Sequence, residues 1–157
     1  MRMEPALLAG AVQVAFFGVG AVLAHIDIHH HRLPNAIVAP LAAGLVAAAA
    51  AGAAWAGDAA ILGRAVAGGV ALGAFYLGLR AASRGGVGGG DVKFAVPVGI
   101  LLAWEGWAAF VLGGALAFVI AGAWAGVLLL ARRAGREERV PFGPSMILGA
   151  AAGLIAT

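Results

Sequence analysis

Six apolar runs alternate with short polar or glycine-rich breaks along the chain, and such a pattern predicts helices that cross a membrane. The runs cover residues 5–24, 36–54 with Trp55 at the end, 59–79, 92–103, 107–130 and 142–157. Most reach or approach the ~20 residues that a helix needs to span the hydrocarbon core. The longest breaks are the glycine-rich segment 83–90 and the basic segment 132–139, and neither has room for a soluble domain. The pattern predicts an all-α fold: a polytopic membrane helical bundle of about six transmembrane helices. Residues 1–157 form a single membrane-embedded domain on this reading. Run one has spanning length, and Arg2 before it is offset by Glu4, so it reads as a retained helix and not as a cleaved signal peptide.

Run four differs from the others. Residues 92–103 make about 18 Å of helix, against a hydrocarbon core roughly 30 Å thick. Either this helix begins below the membrane surface, which places Asp91 in a recess, or Trp104 and Glu105 lie deep on the other side. In the first case the glycines before Asp91 form a non-helical wall, which the bilayer tolerates where backbone lines a wet cavity or packs on protein.

Composition agrees with the run pattern. The chain is 63% hydrophobic and 11% charged, where a soluble domain carries roughly 25% charged residues. Its 26 glycines suit helices whose backbones approach closely in lipid. Cysteine is absent, which excludes disulfides, a thiolate nucleophile and cysteine-ligated zinc. The net charge of +3 reports membrane topology, and no nucleic-acid partner is expected. Eight of the ten basic residues fall at the odd-numbered breaks: Arg32; Arg80, Arg84 and Lys93; Arg132, Arg133, Arg136 and Arg139. Only Arg2 and Arg64 fall on the other side. Basic residues favour the cytoplasm, so those breaks face inward and both termini face outward across the plasma (inner) membrane.

Three segments carry candidate chemistry: DIHHHRLPN at 27–35, GGGDVKF at 88–94 and PFGPS at 141–145. Helix parity puts all three on the cytoplasmic side. Two aspartates on one membrane face, Asp27 and Asp91, suggest an acid–base pair, because two carboxyls in a small desolvated site do not both ionise cheaply. The ionised member takes a proton from water while the protonated member donates to a carbonyl oxygen. Gly88, Gly89 and Gly90 lack side chains, so an extended peptide can lie against them as an added strand. Pro34 and Asn35 read as a break and an N-cap for run two. Pro141 and Pro144 fix the start of the last helix, and with Phe142 and Gly143 they shape a third wall. Asp91 also stands where an N-cap of run four belongs. Asp27 ends a helix and Asp91 precedes one, so the helix dipoles predict Asp91 as the ionised base and Asp27 as the proton holder.

The three segments resemble the type IV prepilin peptidases, membrane aspartic peptidases of the GxGD type. The matching residues are Asp27 with Leu33, Pro34 and Asn35; Gly88, Gly90, Asp91, Val92 and Lys93; and Pro141 to Pro144. Their order and sidedness agree across almost the whole chain. The resemblance implies an aspartic endopeptidase that removes the short basic leader from pilin-like precursors at the cytoplasmic face, in pilus or type II secretion systems. It implies Asp27 and Asp91 as the catalytic pair. It also implies a substrate-binding surface of Gly88, Gly89, Gly90, Pro34, Asn35, Pro141, Phe142, Gly143 and Pro144. Many members add a methyltransferase region with zinc-binding cysteines; with no cysteine here, peptidase activity without N-methylation is expected. The short form needs no cofactor.

Other polar residues fit plainer roles. His25, Asp27, His29, His30 and His31 include i, i+4 pairs that would suit a metal on a helix, but interfacial solvated histidines are the simpler reading and no metal is expected. Lys93 reads as a headgroup contact that tunes Asp91 if the two approach. Arg64 snorkels, and Glu105 is a turn residue. Ser83 and Ser145 are the only serines, and neither stands in a nucleophile motif. The rival function is a small proton- or cation-coupled transporter using the same aspartates, since intramembrane carboxylates commonly carry ions.

Overall fold

The computed structural model describes residues 5–30, 33–83, 87–130 and 142–157. Among them the backbone forms six helices and no strand: α1 (Pro5–His30), α2 (Asn35–Ala56), α3 (Ala59–Ala82), α4 (Gly89–Glu105), α5 (Trp107–Leu130) and α6 (Phe142–Ile155). The fold is a helical membrane bundle. Four helices are long and apolar enough to cross a membrane, over Leu7–His29, Asn35–Ala56, Ala59–Ala82 and Trp107–Val127. α4 has 17 residues and α6 has 14.

Helix ends depart from the apolar runs in ways that matter for the site. α1 continues six residues past Ala24, because nothing between His25 and His30 breaks a helix and the backbone ladder does not depend on side-chain polarity. Asp27 therefore stands inside the last turn of α1. α4 begins at Gly89, three residues before the apolar run. Gly89, Gly90 and Asp91 are thus helical, so these two glycines do not belong to the expected non-helical wall. The nucleus of that extra turn is visible: the Val92 N–H donates to the Gly88 carbonyl, and the Gly88 N–H donates to the Asp91 side chain. Asp91 is accordingly the third helical residue and not an N-cap. The cap of α2 also moves by one: Pro34 is extended (φ −71°, ψ 128°) and its carbonyl accepts from Ile37 and Val38. Asn35 is the first helical residue. At the opposite end of the bundle, Gly57 ends α2 at φ 67°, a left-handed conformation that favours glycine. Asp58 then caps α3 through the Ala60 N–H at 2.9 Å.

α4 is the central helix, buried almost continuously from Phe94 to Trp104 except at Val96. Its closest partner is α3, and α5 pairs in the same way with α6. Both crossings are made by small residues, with Gly69 and Gly73 on α3 and Gly149 and Gly153 on α6 each four apart, which bring helix axes together and multiply dispersion contacts where lipid supplies no hydrophobic drive. On α3, a Cβ at Gly68 would collide with Ala103 and lie 2.5 Å from the Gly99 carbonyl, and one at Gly73 would lie 2.7 Å from Val96. On α6, a Cβ at Gly149 would meet the Ala117 backbone at 2.5 Å, and one at Gly153 would meet Gly113 at 2.6 Å. α1 joins through Phe16, whose ring stacks on Phe94 at 6.1 Å, and through Gly20 against Ile147 of α6.

These two crossings set the stability of the bundle. Gly68→Ala is expected to destabilise by about 1–3 kcal/mol, the usual cost of overpacking. Gly78→Ala, where an added Cβ meets nothing within 4 Å, should stay within about 0.5 kcal/mol of the parent. Thermal unfolding of both variants in the same detergent measures the contrast.

Candidate active site

Two carboxylates are buried at one end of the bundle. Asp27 in the last turn of α1 is 5% exposed, and Asp91 in the first turn of α4 is 7% exposed. They come from helices running in opposite directions, so their shared end follows from chain parity. They are near enough for the charge of Asp27 to act on Asp91. Each accepts a backbone N–H from a glycine. Asp91 Oδ2 takes that of Gly88 at 3.1 Å, and Asp27 Oδ2 takes that of Gly143, 116 residues away in sequence, at 3.3 Å. Both donors belong to the N-terminal turns of helices, α4 and α6. Asp27 therefore sits at the end of one helix and against the start of another, which narrows the dipole contrast expected between the two aspartates.

The glycines fit tightly around the pair. A Cβ at Gly88 would lie 2.8 Å from Asp91 Oδ2, and one at Gly143 would lie 2.9 Å from Asp27 Oδ2. At Gly90 it would lie 3.2 Å from Leu33, so the segment ahead of α2 packs directly on the segment that opens α4. At Gly89 it would lie 3.4 Å from the Arg80 guanidinium. Hydropathy and charge counting alone assigned the three motifs to one face; in the structure they touch.

Arg80, Tyr76 and Leu33 are site residues that the sequence reading did not single out as such. Arg80 Nη1 donates to the Val87 carbonyl at 2.7 Å, and its charge acts on Asp91. Ser83 assists: its hydroxyl donates to the Arg80 carbonyl and accepts the Val87 N–H. Together they staple the glycine segment to the end of α3. Arg80 had been read as a topology charge; its place at the foot of the helix preceding the glycines was the available signal. Lys93, read as a headgroup contact that would tune Asp91 if the two approach, is exposed. Tyr76 is buried, interacts electrostatically with Asp91, and joins an aromatic cluster with Phe118 and Phe142 at 5.4 and 6.0 Å.

The remaining candidates are dispersed. Phe142 belongs to that aromatic cluster, Pro34 and Pro144 are half-buried, and Asn35 is exposed. Pro141 and His31 lie outside the described residues. His25 and His29 lie with ring centroids 4.3 Å apart and planes tilted by 41°, and Nδ1 of His29 lies 2.8 Å from the His25 carbonyl. A carbonyl only accepts, so that nitrogen carries a proton in this contact. Among the described residues no three acidic or histidine side chains cluster as metal ligands.

The sequence profile of the type IV leader peptidase family matches residues 14–130, three-quarters of the chain, and spans both aspartates. The chain belongs to this family. No curated protein and no solved structure matches it. For a leader peptidase, the buried carboxylate pair is the natural place to look for chemistry, and the glycine segment is its most constrained border. Gly88→Ala forces the Asp91 carboxylate to move and is expected to lower peptidase turnover at least tenfold. Arg80→Ala removes a charge-assisted hydrogen bond worth about 1.5–3 kcal/mol and should cost ~10–100-fold, with Arg80→Lys recovering part of it. Initial-rate kinetics on a leader-bearing precursor measure both.

Proposed function

We propose that the protein is a membrane aspartic endopeptidase that removes the short basic leader of pilin-like precursors at the cytoplasmic face of the plasma membrane, with Asp27 and Asp91 as the catalytic pair. The observation that carries this reading is the meeting of two buried carboxylates, from separate helices, in a leader peptidase. Burial in a shared site favours a single negative charge over two. A pair holding one proton contains both reagents that amide hydrolysis needs. The ionised carboxylate takes a proton from a water molecule as its oxygen bonds to the scissile carbonyl carbon. The protonated carboxyl gives its proton to the carbonyl oxygen. The resulting gem-diol collapses: the carboxyl that took the water proton gives it to the amine nitrogen, the other carboxylate takes a proton from a gem-diol hydroxyl, the C–N bond breaks, and the pair is returned to one proton and one charge. No covalent intermediate with the protein forms.

The location suits the substrate. A pilin-like precursor has a basic leader followed by an apolar segment, and the scissile bond then lies at the membrane surface. The eight basic residues at the odd-numbered breaks, four of them at the two breaks that hold the aspartates, support a cytoplasmic orientation of that end. Gly89 and Gly90 are helical and half-buried, so they offer a peptide close approach through their missing side chains and not a strand edge. Cleavage without methyl transfer is the activity proposed for these residues.

Co-expression with a pilin-like precursor tests the proposal. A size shift on the precursor is expected with the parent chain and should vanish in Asp27→Asn and in Asp91→Asn, while both variants remain in the membrane fraction. Cleavage that survives either substitution overturns the aspartic mechanism.

A further inference from the structure

We propose that α6 is a positioning element for Asp27, acting through the Gly143 N–H, so that the third motif serves the catalytic pair and not the substrate. The inference rests on the catalytic reading of Asp27 given above and assigns the motif a different task from the peptide-binding wall expected of it.

The geometry has three parts. The first is the bond itself, from Gly143 N to Asp27 Oδ2 across the bundle. The second is the space: Gly143 is buried, and any Cβ there would press on the same oxygen that accepts the bond. The third is how firmly the donor is held. Gly149 and Gly153 lock α6 on the backbone of α5, and Phe142 packs its ring on Tyr76 and Phe118 immediately before the donor. The first turn of a helix has N–H groups without helical acceptors. Pro144 removes one of them, so the donor set that faces Asp27 is narrowed around Gly143. Asp91 receives its N–H from Gly88, only three residues away, and that bond forms whenever α4 forms. Asp27 takes an N–H from a helix at the other end of the chain. The orientation of one member of the pair is thus coupled to the docking of α6, which lies beyond the family match ending at residue 130.

Among the described residues, the charged and titratable groups of this end include Asp91 on α4, Arg80 and Tyr76 on α3, which act on Asp91, and His25 and His29 on α1 itself. A test must isolate Gly143 from these. The chain contains two Phe-Gly pairs, Phe17–Gly18 and Phe142–Gly143. Carbonyl-13C phenylalanine with 15N-glycine therefore leaves two amide resonances, assigned by their loss in Gly143→Ala. In the full chain in detergent or bilayers, the Gly143 amide is expected to shift with pH while that of Gly18 stays still. Asp27→Asn should abolish the shift, and Asp91→Asn should move its midpoint. A Gly143 amide that ignores pH, or that titrates unchanged in Asp27→Asn, overturns the proposal.

Kinetics supply the second arm. Gly143→Ala should lower kcat at least tenfold with KM within twofold and displace the pH–rate profile, whereas loss of a peptide-binding wall would raise KM. Gly153→Ala, which loosens the α5–α6 contact that holds the donor, should lower thermal stability and displace the profile in the same sense. A raised KM at constant kcat in Gly143→Ala counts against positioning. The resonance arm needs no substrate, so a chain that titrates as expected yet cleaves nothing refutes the peptidase reading separately.

Discussion

Two carboxylates buried at one end of an apolar bundle are the constraint around which the rest of the protein is arranged. An unpaired charge in such surroundings is costly, and oriented backbone dipoles meet part of that cost. Asp91 is served by the turn that opens α4 and by the nearby Arg80 guanidinium; Asp27 is served in part by the turn that opens α6. These donors are backbone groups, fixed once the helices are placed. The precision of the site is therefore inherited from helix packing.

That packing is achieved by leaving atoms out. The α3–α4 and α5–α6 crossings are built on glycines whose missing Cβ atoms allow near contact of backbones. One crossing fixes Asp91 relative to Arg80 and Tyr76, and the other fixes Gly143 relative to Phe118. Glycine recurs beside both carboxylates for a related reason, since Gly88 and Gly143 leave room for an oxygen at hydrogen-bond distance from their own amides. The composition that marks the chain as a membrane protein thus also shapes its site.

Much of this was legible in the sequence, for reasons that lipid imposes. Spanning length and backbone satisfaction permit few alternatives, so the run pattern gave the helices in order, and charge parity put the three motifs on one face. The errors fall where hydropathy stops being informative. Asp27 and residues 89–91 are polar or glycine-rich and end an apolar run, yet the backbone ladder continues through them. Arg80 is indistinguishable by charge from a headgroup anchor until its contact with Val87 is seen. The bond from Gly143 to Asp27 is a matter of docking between the first and last helices, on which no local pattern bears.

The most direct test of the whole account is the separation of the two carboxyl carbons. The chain has three aspartates, Asp27, Asp58 and Asp91, so uniform 4-13C aspartate labelling gives three sites, and Asp58, at the cap of α3, serves as the internal reference. Dipolar recoupling in bilayers is predicted to join the Asp27 and Asp91 signals as a close pair and to leave Asp58 isolated. Three mutually isolated carboxyl signals would contradict the shared site.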